Sequence, residues 1–285
     1  MKIKWRDCPG PKPELKEKNG VLWLSFPLLE QTGIVVQGFT TRIGGVSRGI
    51  FSAMNLGSSR GDDPEAVREN FRLAAGALGI PADSLTATVQ TPTNHVRRVG
   101  AGDRGSGITR PSEYTDVDGL LCGEPEVALT AFFADCVPLF FVDPVRRAIA
   151  LAHSGWRGTV RRIGRVTVEQ MKKEFGTRPE DLVAAVGPSI CRDCYEVGEE
   201  VAEQFARSFG PEAESAILEK KENGKYQLDL WEANRRVLLE AGLRPEKIQL
   251  PWLCTCCNPE LLFSHRATGG KRGNMAAFLM LKKQG

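Results

Sequence analysis

The sequence predicts a layered α/β protein in which residues 1–285 form one domain. Three observations carry that prediction. Residues 127–133, 137–142 and 148–152 are continuous apolar runs, the pattern of strands covered on both faces. Segments with apolar residues at helical spacing alternate with such runs. No Pro/Gly/Ser-rich linker divides the chain, and no repeat with a period of about 20 to 50 residues recurs. Spacing alone leaves open whether the strands form one sheet or two facing sheets.

Residues 21–26 and 34–40 are rich in β-branched and aromatic side chains and read as two strands of a hairpin. The following Thr41-Arg42-Ile43-Gly44-Gly45-Val46-Ser47 has an arginine at a strand exit and two glycines that free the backbone. It reads either as an anion loop or as an ordinary glycine turn with a solvated arginine. Residues 63–79 are a helix: Val67, Phe71, Ala74, Ala75 and Leu78 share a face, Asp63-Pro64 opens it and Gly79 closes it. Strands at 85–89 and 96–99 flank the loop 90–95, and a glycine-rich loop spans 100–107. Residues 118–121 add another apolar strand. Helices follow at 159–175, 196–209 and 228–241, with a strand at 182–186. Late strands at 248–252 and 275–281 complete the chain, the last one central because it is strongly apolar.

Composition removes several function classes. The first 13 residues lack the apolar stretch of a secretory signal, so a cytoplasmic location is expected. The longest apolar stretch, 127–142, is broken by Asp135 and Pro138 and falls short of the roughly 20 residues that span a bilayer, so no membrane association is expected. Net charge is +3 with the two signs interleaved, a poor footprint for nucleic acid. Arg157, Arg161, Arg162 and Arg165 share a helical face that reads as solvated surface, with a phosphate contact held open for Arg157.

Eight cysteines without a secretion signal read as thiols or metal ligands before disulfides. The C-x-x-C pairs Cys191/Cys194 and Cys254/Cys257 could together hold zinc. Their separation in sequence, and the position of the first pair at a strand end, favour separate buried thiols.

Cys136 and His153 carry the strongest chemical signal. Pro138 restrains the chain just after the cysteine, and His153 ends an apolar run before small residues that leave its ring room. The two side chains suit a zinc site with an open position for water, or a metal-free pair in which the imidazole activates a thiolate for attack on a carbonyl. The residues leave both open. With only three histidines, His95, His153 and His265, any imidazole site has few ways to be built.

In combination the motifs resemble the laccase-domain family, also described as multicopper polyphenol oxidases and YfiH-type purine nucleoside phosphorylases. They are T-T-R-I-G-G-V-S from Thr40, M-N-L-G from Met54, Q-T-x-T-N from Gln90, A-D-C-V-P from Ala134, H-S-G-W-R-G from His153, G-P-S-I from Gly187 with C-Y-E-V-G from Cys194, and F-S-H-R from Phe263. The resemblance implies an α/β/β/α sandwich and a zinc enzyme that cleaves adenosine, inosine and methylthioadenosine with phosphate and also deaminates adenosine. Copper-dependent phenol oxidation is attached to the family as well, but three histidines cannot supply several coppers. Cys136 and His153 would be two zinc ligands. The third, a histidine two residues after the glutamine, is replaced by Pro92, and His95 could substitute only through a bulge or loop.

Arginine is the expected phosphate clamp, with Arg42 the first choice and Arg157 the second. His265 either reaches the site or ties a late turn. The competing readings are a metal-independent Cys–His thiol hydrolase or amidase and an inactive small-molecule-binding homologue.

Overall fold

The computed structural model describes residues 2–284. Two six-stranded sheets face each other. The first runs, edge to edge, Glu14–Lys18, Val21–Ser25, Val35–Thr40, Met275–Leu281, Ala128–Phe133 and Leu85–Ala87. The second runs Ile248–Gln249, Val183–Val186, Val137–Asp143, Ala148–Ser154, Gly119–Cys122 and Val96–Arg98. A small three-stranded sheet of Glu196–Val197, Tyr226–Leu228 and Leu218–Lys220 sits apart from both.

Alternation along each strand explains the layering. In the strand Val137–Asp143, Phe140 and Val142 point between the sheets while Leu139 and Phe141 point to the helices behind. In the strand Ala148–Ser154, Ile149 and Leu151 fill the inter-sheet core. Its small residues Ala148, Ala150 and Ala152 face the helix side, where the helix Ile163–Phe175 packs. Gly164 lets that helix lie close to its neighbours: a Cβ there would meet Val237 at 3.2 Å and Leu139 at 3.4 Å. On the far side of the first sheet the helix Pro64–Leu78 packs Val67, Phe71 and Ala74 against Phe278 and Ala276. Strands covered on both faces have no polar alternation, hence the continuous apolar runs. The order of layers is helix, sheet, sheet, helix, as the resemblance implies.

Several elements differ from expectation. The tight hairpin joins Glu14–Lys18 to Val21–Ser25 through Asn19 (φ 54°) and Gly20 (φ 79°), both left-handed as a two-residue turn requires. Its first strand is nearly all charged and exposed, an edge that discourages further pairing. The expected partners 21–26 and 34–40 do pair antiparallel, but through the short helix Pro27–Glu30. The helix expected at 159–175 is two helices, Trp156–Val160 and Ile163–Phe175, broken where Arg162 turns left-handed (φ 59°). There its guanidinium donates to Ser208 O at 2.7 Å and lies over Phe209. The helix expected at 196–209 begins instead with the short strand Glu196–Val197 and continues as Glu199–Phe209. The strand expected at 248–252 ends at Gln249. The strand Met275–Leu281 is central, flanked by Val35–Thr40 and Ala128–Phe133.

Candidate active site

Cys136 lies in the turn that carries the chain from the first sheet to the second, between Phe133 and Val137. Asp135 in that turn has φ 93°, a backbone region that costs an L-residue roughly 1 to 3 kcal/mol. Its carboxylate offsets that cost by accepting hydrogen bonds from Thr255 Oγ1 at 2.6 Å and from the Arg266 amide at 2.7 Å. Its carbonyl accepts from the Ile190 amide at 2.9 Å. The cysteine is thus aimed by a braced turn.

His153 stands opposite Pro138 in the adjacent strand. Its Nδ1 is 2.8 Å from Asp118 Oδ1, and its ring lies beside Cys136 in the wall of the same cleft. Asp118 is fully buried, and its second oxygen accepts from the Thr93 amide at 3.0 Å and the Thr93 hydroxyl at 2.8 Å. Burial works against a charged ring at His153. The negative charge available at Cys136 and the hydrogen bond to Asp118 outweigh it and carry the pKa up to about 10. Gly155 has ordinary backbone angles (φ −70°) and is small for reasons of space. A Cβ there would come 3.2 Å from Cys136 Sγ and 3.5 Å from His153 Cε1.

The two side chains open onto a cleft of ≈ 490 Å³ whose walls include Gln90, Phe132, Phe133, Arg60, Arg272 and Asn274. That volume lies in the range of small-molecule sites, roughly 300 to 1,000 Å³. Gln90 is pinned to the backbone of Phe132, accepting from its amide at 2.7 Å and donating to its carbonyl at 2.8 Å. Arg272 is only 7% exposed. Its partners are neutral, Gly273 O at 3.2 Å and the Asn274 side chain, and its buried Nε has no hydrogen-bond partner. Burial, with Arg60 nearby, pushes this guanidinium down to about 10. A buried cation without a carboxylate on its guanidinium, beside a second arginine, leaves positive charge in the cleft uncompensated, the chemistry that suits an anion.

Arg42 does not line the cleft. Its Nε and Nη2 donate to Ser52 O at 2.8 and 2.6 Å, its Nη1 donates to Pro259 O at 2.7 Å, and it stacks on Phe263. The neighbouring Gly44 and Gly45 serve close backbone packing, since a Cβ on either would fall within 2.3 Å of a carbonyl oxygen. The expected anion loop is therefore a structural clasp. Arg157 is exposed and lies over Trp156, and His265 is exposed at the start of the short helix His265–Thr268.

Pro92 is exposed, its carbonyl accepting from Arg161 at 2.5 Å. His95 is also exposed, with Nδ1 3.2 Å from Asp116 O, and it is not part of the cleft wall. Among the described residues the one set of three or more metal-capable side chains within reach of a single ion lies elsewhere and excludes Cys136 and His153. These two donors alone do not make the three-ligand site of a catalytic zinc.

Sequence reasoning passed over Asp118 and Arg272. Asp118 was visible as an acid opening the apolar run 118–121, and Arg272 as a basic residue in Gly269-Gly270-Lys271-Arg272-Gly273-Asn274 before the central strand. The M-N-L-G motif acts on the latter: Asn55 Oδ1 accepts from the Asn274 amide at 2.8 Å, and Gly273 has no Cβ to collide with Asn55.

A two-sheet sandwich with Cys136, His153 and a buried arginine in one cleft at its seam has the make-up of a small-molecule site. Residues 36–282 match the family model described as multi-copper polyphenol oxidoreductase laccase, and the chain belongs to that family. It is 39% identical over 250 residues to purine nucleoside phosphorylase YlmD of Bacillus subtilis, covering 87% of this chain and 89% of the relative. It is 34% identical over 240 residues to adenosine deaminase RL5 of an unknown prokaryotic organism, covering 84% and 91%. The crystal structure of YlmD from Geobacillus stearothermophilus superposes with a TM-score of 0.87 at 35% identity, covering 96% of this chain and all of that one. No helix among the described residues is long and apolar enough to cross a membrane.

Proposed function

We propose that this protein is a purine nucleoside phosphorylase acting on adenosine, inosine and methylthioadenosine, with phosphate held by Arg272 and Arg60. The observation that carries the reading is the buried Arg272, with no carboxylate on its guanidinium, in the same cleft as Cys136 and His153. The relatives named purine nucleoside phosphorylase give it its substrate class.

In the reaction a phosphate oxygen forms a bond to ribose C1′ as the C1′–N9 bond breaks. The electron pair leaves with the purine, which takes up a proton. Arg272 and Arg60 fix the phosphate, whose planar-fork partner matches two of its oxygens. Phe132 and Phe133 offer an apolar wall to the base. His153, oriented by Asp118 through Nδ1, would hand the departing purine its proton. No step is routed through zinc, because the donor set does not close. Deamination of adenosine needs an activated water at C6, whereas phosphorolysis brings its own nucleophile. The missing third ligand therefore weakens deamination more.

A second reading has its own support. Asp118 hydrogen-bonded to His153, with Cys136 beside the ring in the same cleft, is an arrangement suited to a thiol nucleophile in acyl transfer. Product analysis separates the two. Incubated with inosine, the protein is expected to release hypoxanthine and ribose 1-phosphate only when phosphate is supplied. Base release at the same rate without phosphate, or none with it, would refute the phosphorylase.

A further inference from the structure

The two C-x-x-C pairs, assigned from sequence to separate buried thiols, meet in space. The reason is topological. The strands Val183–Val186 and Ile248–Gln249 are parallel neighbours, so the loops leaving their ends run side by side. Ser189 and Cys254 bridge in parallel, and the Thr255 amide donates to Ser189 O at 3.1 Å. The sulfurs of Cys191, Cys194, Cys254 and Cys257 consequently all lie within 4.8 Å of one another. All four cysteines are free, two buried and two half-buried.

We propose that Cys191, Cys194, Cys254 and Cys257 form a structural site for a single tetrahedral divalent ion, zinc by preference, distinct from the cleft at Cys136 and His153.

The dimensions suit one ion. Four thiolates about 2.3 Å from zinc lie about 3.8 Å apart along the edges of their tetrahedron. The Cys194–Cys257 pair stands at 3.4 Å and the whole set within 4.8 Å. An iron–sulfur cluster interposes its own irons and sulfides between the thiolates and needs a wider cage. Donors already surround the sulfurs. The Cys191 amide points at Cys254 Sγ at 3.2 Å. Arg6 donates from Nη2 to Cys191 Sγ at 3.2 Å and to Cys257 Sγ at 3.4 Å, while its Nη1 holds Asp193 at 2.8 Å. Zinc with four thiolates has net charge −2, and a guanidinium over two of its sulfurs offsets part of it. Arg6 is itself fastened by its amide to Trp252 O at 2.9 Å.

The site has a structural consequence. The loops it joins are those that hold Asp135 from two sides, through Ile190 and Thr255, and Asp135 shapes the turn carrying Cys136. The ion would brace the active-site turn without touching substrate.

The test uses the full chain with the cleft donors removed, Cys136→Ser/His153→Ala, and is independent of whether the protein is a phosphorylase. Zinc is measured by plasma mass spectrometry after dialysis, and the ion is then exchanged for Co²⁺. Stoichiometric zinc is expected, with intense thiolate-to-cobalt charge transfer and tetrahedral ligand-field bands. Adding Cys194→Ser/Cys257→Ser is expected to abolish both. Should that variant fail to fold, the cobalt spectrum of the first variant decides alone, since only a four-sulfur site gives the tetrathiolate signature. A metal-free first variant, a cobalt spectrum of nitrogen and oxygen ligands, or a disulfide between Cys194 and Cys257 in freshly purified protein would overturn the proposal.

Discussion

Asp118 decides what His153 can do. With Nδ1 given to a buried carboxylate, the ring can turn only its other nitrogen toward Cys136 and the cleft. Gly155 makes the room for this pair, and Gly155→Ala tests it. The added methyl group enters the space between sulfur and ring while the backbone angles remain permitted. We expect phosphorolysis to fall on the order of 10- to 100-fold with thermal stability nearly unchanged, the cost of misplacing reacting groups by a fraction of an ångström to an ångström. Steady-state rates beside a melting curve would check this; unaltered turnover would show that the Cys136–His153 spacing is irrelevant to the chemistry. Pro92 poses the opposite question. It is exposed two residues after Gln90, which lines the cleft, so Pro92→His offers the imidazole that the donor set lacks. A further equivalent of zinc and a higher ratio of deamination to phosphorolysis are expected. Equal metal content in the two dialysed proteins would sink that idea.

At the scale of elements, the sequence was readable where one local rule governed. The helix Pro64–Leu78 follows its apolar stripe, its Asp63 cap accepting from the Glu65 amide at 2.9 Å, and its closing Gly79 at φ 74°. It was misread where a partner distant in sequence intervened. Arg162 breaks a helix because Ser208 and Phe209 hold its side chain, and nothing within residues 159–175 announces that. Arg42 and the paired glycines looked like an anion loop because their true partners, Ser52, Pro259 and Phe263, come from two other parts of the chain. The four cysteines were legible as two motifs but not as one cluster, since only the parallel pairing of Val183–Val186 with Ile248–Gln249 brings them together. Cys136 and His153 were legible as neighbours because Cys136 immediately precedes the strand Val137–Asp143 and His153 sits at the end of the adjacent strand, opposite Pro138.

For the molecule as a whole, the stacking of two sheets creates both the stability and the cleft. Phe140 is fully buried between the sheets, its ring 4.9 Å from that of Phe26. Phe140→Ala is expected to cost about 3 to 5 kcal/mol, read from denaturant unfolding, because both sheets would line the void left behind. A loss well under 1 kcal/mol would mean that the inter-sheet core is not the stabilising layer described. The cleft sits where the chain crosses between the sheets and gathers Gln90, Cys136, His153 and Arg272 from separate stretches of sequence, with Asp118 buried behind His153. Such a gathering is a property of the sandwich and cannot be read from spacing, which is why the sequence pointed to Arg42, outside the cleft wall, and not to Arg272, within it. That difference can be measured. The most direct test is the phosphate dependence of base release by Arg272→Ala beside Arg42→Ala. If Arg272 holds phosphate, its loss raises KM for phosphate about 10- to 100-fold, the worth of a charge-assisted contact of roughly 1.5 to 3 kcal/mol, with KM for the nucleoside little changed. An unchanged phosphate KM in Arg272→Ala, or a selective rise in Arg42→Ala instead, would contradict the assignment of the anion site.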